Sequence, residues 1–95
     1  MNERVGPVFR MGAEIDAMVA AIREDNPGRE IEVTDRGAYV RVQGWHSLRL
    51  TRETVERNLG RPFKMRELEP MLSAFSGRIS TTSDAVTWEY ARRGQ

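Results

Sequence analysis

Catalysis needs a nucleophile, a proton acceptor or a metal held within reach of one another, and this chain offers few candidates. His46 is its only imidazole, and it has no cysteine. A structural zinc site needs four Cys or His ligands, and a carboxylate-bridged di-iron site in a helix bundle needs two Glu-x-x-His repeats, so neither can be assembled from one histidine. No glycine loop of the G-x-x-x-x-G-K-[ST] or G-x-G-x-x-G kind occurs, which leaves phosphate cradling without support. Glu53 with Glu56, or Glu67 with Glu69, could act as general acid and base. Such carboxylates more often form a solvated helix face. Trp45-His46 could anchor a partner, since tryptophan is enriched at interface hot spots, or it could simply fold over the edge of a sheet. The expectation is a protein with no catalytic residue, no cofactor-binding residue and no metal ligand.

Composition points the same way. Ninety-five residues, 39% hydrophobic and 31% charged, make one domain (1–95) with a single modest core. Residues 1–4 and 91–95 are expected to be flexible ends. No stretch is apolar enough for a membrane helix, and Met1 to Arg10 lacks the apolar region of a secretory signal, so a cytoplasmic protein is expected. The net charge is +1, with acids and bases interspersed, which argues against a nucleic-acid binder. Lys64 is the only lysine among fifteen basic residues. An arginine bias suits bidentate recognition of a partner, although GC-rich codon usage accounts for it with less.

The elements that must position these residues are legible from periodicity. Val5 to Arg10 reads as a short strand interrupted by Gly6 and Pro7, which predicts an edge strand or a lead-in arm. Ile15, Met18, Val19 and Ile22 fall on one face of a helix over 13–25, which Asn26-Pro27-Gly28 ends. Alternation at Ile31 and Val33, then at Val40 and Val42 beyond Gly37, predicts a hairpin with one wet face. Leu48 and Leu50 add a third strand, so that the three form an antiparallel meander. Thr51 is placed to cap a short helix bearing Val55 and Leu59, with Gly60 closing it. A third helix is expected from Met65 to Ser76, with Leu68, Met71, Leu72 and Phe75 buried. Pro70 either kinks that helix, with Lys64 as N-cap and Glu67 at N3, or starts it near Glu69. Arg78 to Thr81 and Ala85 to Tyr90 make a last hairpin around Thr82-Ser83-Asp84. The order is β-α-β-β-β-α-α-β-β, a compact α+β domain with antiparallel hairpins.

The ordered set Val5-Gly6-Pro7, Asp25-Asn26-Pro27-Gly28-Arg29-Glu30-Ile31, Ala38-Tyr39-Val40-Arg41, Leu50-Thr51-Arg52, Leu59-Gly60-Arg61-Pro62-Phe63, Met65-Arg66-Glu67-Leu68-Glu69 and Phe75-Ser76-Gly77 resembles the monooxygenase regulatory (effector, or coupling) proteins. The likeness runs from Val5 to about Tyr90. It is nearest the effectors of toluene and alkene monooxygenases and more distant from those of phenol hydroxylase and soluble methane monooxygenase. Pro70 departs from the pattern. The resemblance implies a cofactor-free, non-enzymatic protein, monomeric when free, that docks on the α subunit of a di-iron hydroxylase. It would raise activity and the coupling of NADH and O₂ use to hydroxylation or epoxidation of an aromatic or alkene substrate. It also implies competition with the ferredoxin or reductase component for a docking surface.

The docking residues are expected on the outward side of the third helix, where Glu69, Ser73 and Ser76 are spaced at i, i+4 and i+7. In the methane monooxygenase relative the corresponding stretch, rich in small polar residues, lies against the hydroxylase. Ser73, Ser76, Gly77 and Arg78 are therefore the primary candidates, with Arg10 and Val8 of the N-terminal arm and Trp45 as secondary ones. Two other readings are kept beside this one: a small nucleic-acid or protein-interaction module of ferredoxin-like shape, which would need a basic face, and a small enzyme using Glu and Arg side chains.

Overall fold

The computed structural model describes residues 3–91. Of the tail expected to be flexible, 91–95, residues 92–95 lie outside the described residues, as do residues 1 and 2. Glu3 and Arg4 have fixed partners: the Glu3 carbonyl accepts from His46 N, and Arg4 pairs with Trp45 across a sheet.

Among the described residues, seven strands form two antiparallel sheets. The first has the order β2-β3-β1-β5, with β1 Arg4–Arg10, β2 Ile31–Asp35, β3 Tyr39–Trp45 and β5 Leu72–Ser76. The second has the order β4-β7-β6, with β4 Ser47–Thr51, β6 Arg78–Thr81 and β7 Ala85–Glu89. The α+β class and the expected element order hold, with one strand more than expected.

The N-terminal strand is central, not an edge. It pairs with β3 on one side and β5 on the other. Pairing with β3 holds at Arg4 and Val5, skips Gly6 and Pro7, and resumes at Val8, so the two residues least able to keep a regular ladder share one gap. Pro7 is fully buried there.

The expected meander also stops short. β2 and β3 form the predicted hairpin, but β4 leaves for the second sheet and pairs with β7. The crossing is made at His46, which takes a left-handed φ of 68°. A second crossing, from β5 to β6, is made at Gly77 with φ 95°, where an added Cβ would lie 2.8 Å from the Glu89 carbonyl and 2.7 Å from Val5 Cγ1.

The third helix ends early. A 3₁₀ helix spans Met65–Met71, and Leu72–Ser76 is strand β5. The Lys64 and Glu67 pairing is as expected: the Glu67 carboxylate accepts from Lys64 N at 2.8 Å, and Glu67 N donates to the Lys64 carbonyl. Pro70 then supplies no donor, and the chain turns out into the vacant edge of β1. Val8 faces Ala74 and Phe9 faces Leu72, so Ser73 is the extra residue of a β-bulge. Phe75, expected in the core, is 44% exposed.

The helices close one side of the molecule. α1, Ile15–Asp25, buries Ile15, Met18, Ala21 and Ile22, and α2, Arg52–Leu59, buries Thr54 and Val55. Asn26, buried just past α1, donates to the carbonyls of Ile22 and Arg49 at 2.7 Å each and accepts from Arg49 N at 3.0 Å. The Asp25 carboxylate accepts from Thr51 N and from the hydroxyls of Thr51 and Thr54, which locks the end of α1 to the start of α2. Between the sheets Phe9, Val42, Leu50, Val86 and Trp88 are wholly buried, each worth about 1.5–3 kcal/mol of transfer free energy.

Candidate docking surface

Strand alternation decides which candidates share a face. Val5 and Phe9 of β1 point into the core, so Arg4, Val8 and Arg10 point out. Their partners on β3 are Trp45, Arg41 and Tyr39 respectively, and directly opposed residues project to the same side. Ala74 and Ser76 of β5 stand opposite Val8 and Gly6. The outer face of the four-stranded sheet thus brings together Val8, Arg10, Trp45 and Ser76, four of the seven candidates. It adds Tyr39 and Arg41, which the sequence reading left out although the alternation of β3 carried the signal.

The other three candidates separate from these. Ser73 sits on the bulge of edge strand β5 and is exposed. Gly77 has a structural role at the sheet crossing, and Arg78 begins β6 in the second sheet. The expected helical row of Glu69, Ser73 and Ser76 does not exist, because only Glu69 is helical.

Trp45 and His46 form a built corner. The His46 ring stacks between Trp45, at a centroid distance of 5.6 Å, and Tyr90, at 5.9 Å. Its Nε2 meets the Glu3 carboxylate. Arg29 donates to the carbonyls of Trp45 and Ser47 at 3.0 Å each. Trp45 is nonetheless 54% exposed.

Charges elsewhere are paired along the helices. Arg57 donates to Glu24 at 2.7 Å, and this bond, with a second from Asn58, holds the Glu24 carboxyl below its ordinary range while raising Arg57. Arg61 is raised by its two-pronged bond to Glu14. By contrast Arg10 and Arg41 have no ion pair among the described residues, and Arg4 pairs with Glu32 at 3.2 Å. Among the described residues no group of three or more His, Asp or Glu could hold a metal.

One cleft stands apart from this face. It measures about 760 Å³ and opens between the 3₁₀ helix and strands β5 and β6, with Met65, Leu68, Leu72, Phe75 and Ile79 as its apolar lining.

The MmoB/DmpM family model matches residues 3–89. The chain belongs to that family. Within it, the chain is 43% identical over 86 residues to the effector subunit of the alkene monooxygenase system of Xanthobacter autotrophicus (strain ATCC BAA-1158 / Py2), covering 90% of this chain and 85% of the relative. It is 30% identical over 90 residues to DmpM, the stimulatory component of phenol 2-monooxygenase from Pseudomonas sp. (strain CF600), covering 95% and 98%. In structure the chain resembles one from a phenol hydroxylase–regulatory protein complex, with a TM-score of 0.82, 27% identity and coverage of 93% and 99%. Regulatory protein B of soluble methane monooxygenase shares the fold, with a TM-score of 0.73 at 20% identity, covering 99% of this chain and 70% of that one.

Proposed function

We propose that this protein is the effector of a multicomponent monooxygenase: a cytoplasmic, monomeric protein without a cofactor that docks on a di-iron hydroxylase. There it raises activity and the coupling of NADH and O₂ consumption to hydroxylation or epoxidation of an aromatic or alkene substrate. The observation that carries this reading is the whole-length likeness to a chain in a hydroxylase–regulatory protein complex, at 27% identity and a TM-score of 0.82. The residue inventory supports it, since a chain with one histidine and no cysteine affects an oxidation most readily through a partner. Physically this is allostery by differential affinity. The effector binds one hydroxylase conformation better than another and shifts the population toward it.

The test is a titration of the purified protein into its cognate hydroxylase, electron-transfer components and NADH. Product formed per NADH consumed should rise to a plateau. A flat response across the titration refutes the effector reading, and turnover by the protein alone would put an enzyme in its place.

A further inference from the structure

We propose that the outer face of the four-stranded sheet is the surface that meets the hydroxylase, and that it recognises a carboxylate-bearing, partly apolar patch on that partner. The inference rests on the effector reading above and adds where the contact lies and what chemistry the partner presents.

Both sheets turn a face outward, and the two faces differ in kind. On the three-stranded sheet the outward residues include Ser47, Arg49, Arg78, Ser80, Thr87 and Glu89, which are small or of mixed charge. On the four-stranded sheet they include Tyr39 at 44% and Trp45 at 54% exposure, with Val8 between Arg41 and Ala74. Tyrosine, tryptophan and arginine are the types enriched at the centres of interfaces, and lysine and acidic residues are depleted there. The face of the four-stranded sheet has that composition, and the face of the three-stranded sheet, which carries no aromatic residue, does not.

Charge selects the partner. Arg4, Arg10 and Arg41 project from the face and Glu32 is its one carboxylate, paired with Arg4, which leaves Arg10 and Arg41 without an ion pair among the described residues. In a chain whose net charge is only +1, this local excess fits a surface of opposite sign. Size sets a further condition. Four strands about 4.8 Å apart and about 20 Å long present on the order of 400 Å², roughly half of the footprint of a standard interface. The bulged edge at Ser73 and the Trp45-His46 corner adjoin the face and can supply the rest.

The experiment compares charge reversals on the two faces in the hydroxylase titration, with melting temperatures confirming that each variant is folded. Arg41→Glu should raise the half-saturating concentration about tenfold or more, and Arg10→Glu should behave alike. Arg49→Glu, on the other sheet, should activate like the parent protein. Added salt should weaken the parent more than Arg41→Glu, because fewer favourable charge contacts remain to be screened. If Arg41→Glu and Arg10→Glu keep the parent half-saturation, the face is not the docking surface. The same holds if Phe75→Ser in the cleft loses activation while both reversals retain it. The effector reading fails separately, when the parent protein itself gives no activation.

Discussion

Two glycines that look alike in sequence carry different physical burdens. Gly60 closes α2 with φ 74°, and an added Cβ there would meet nothing within 4 Å. Its cost on substitution is conformational alone, so Gly60→Val should destabilise by about 1 kcal/mol or somewhat more, read from denaturant midpoints. Gly6 combines φ 144° with a hypothetical Cβ only 2.0 Å from the Val42 carbonyl oxygen. Backbone cannot yield as a side chain can. Gly6→Ala should therefore cost about 3 kcal/mol or more, and equal losses at the two sites would disprove the distinction. A third residue-scale prediction concerns pH. The Lys64 amide, with Arg61 nearby, holds the Glu67 carboxyl below its ordinary range. Its contribution is therefore fully present above the unfolded glutamate value of about 4.3 and is lost as pH falls through the lower folded value. Glu67→Gln should lower the melting temperature at neutral pH, and the gap from the parent should close as pH drops below about 4. A gap independent of pH would show that charge plays no part in that cap.

At the scale of elements, β5 decides how the docking candidates are read. As the end of a helix it would have shown Ser73 and Ser76 on one stripe, whereas as an edge strand it gives Ser76 to the sheet face and puts Ser73 on a bulge. A bulge blunts an edge against pairing with other chains, so a bulky side chain there is tolerated by the fold. Ser73→Trp should change stability by no more than about half a kcal/mol. It should still impair activation by obstructing close approach beside Val8 and Ala74, while Ser80→Trp on β6 should not. Activation by Ser73→Trp with parental half-saturation would remove this edge from the interface. Pro70 explains why the sequence pattern misled. Leu68, Met71, Leu72 and Phe75 do have helical spacing, but the ring removes a donor at the point where the helix would need it.

At the scale of the whole molecule, an effector acts only as far as its affinities for two hydroxylase states differ. A tenfold preference corresponds to about 1.4 kcal/mol of population shift. The upper end of the titration tests what else occupies that surface. If effector and electron donor share it, product formation should fall again at large excess of effector, and added donor should restore it by mass action. A plateau that holds at every excess would separate the two docking sites.

The sequence by itself determined most of the local structure, because local structure follows from neighbours. The stripe of α1, the Asn26-Pro27-Gly28 stop, the Thr51 cap, the Gly60 terminus and both hairpins are written in spacing and turn chemistry. The family was legible as well, since its motifs are short and ordered along the chain. Only the tertiary structure decided which strands are neighbours. Nothing local says that β1 takes partners on both sides across Gly6 and Pro7, that His46 and Gly77 carry the chain from one sheet to the other, or that residues 72–76 serve better as a partner for β1 than as a continuation of the helix. Those choices depend on the free energy of pairing and burial between segments far apart in sequence. That is why Tyr39 and Arg41 come to share a face with Val8 and Arg10.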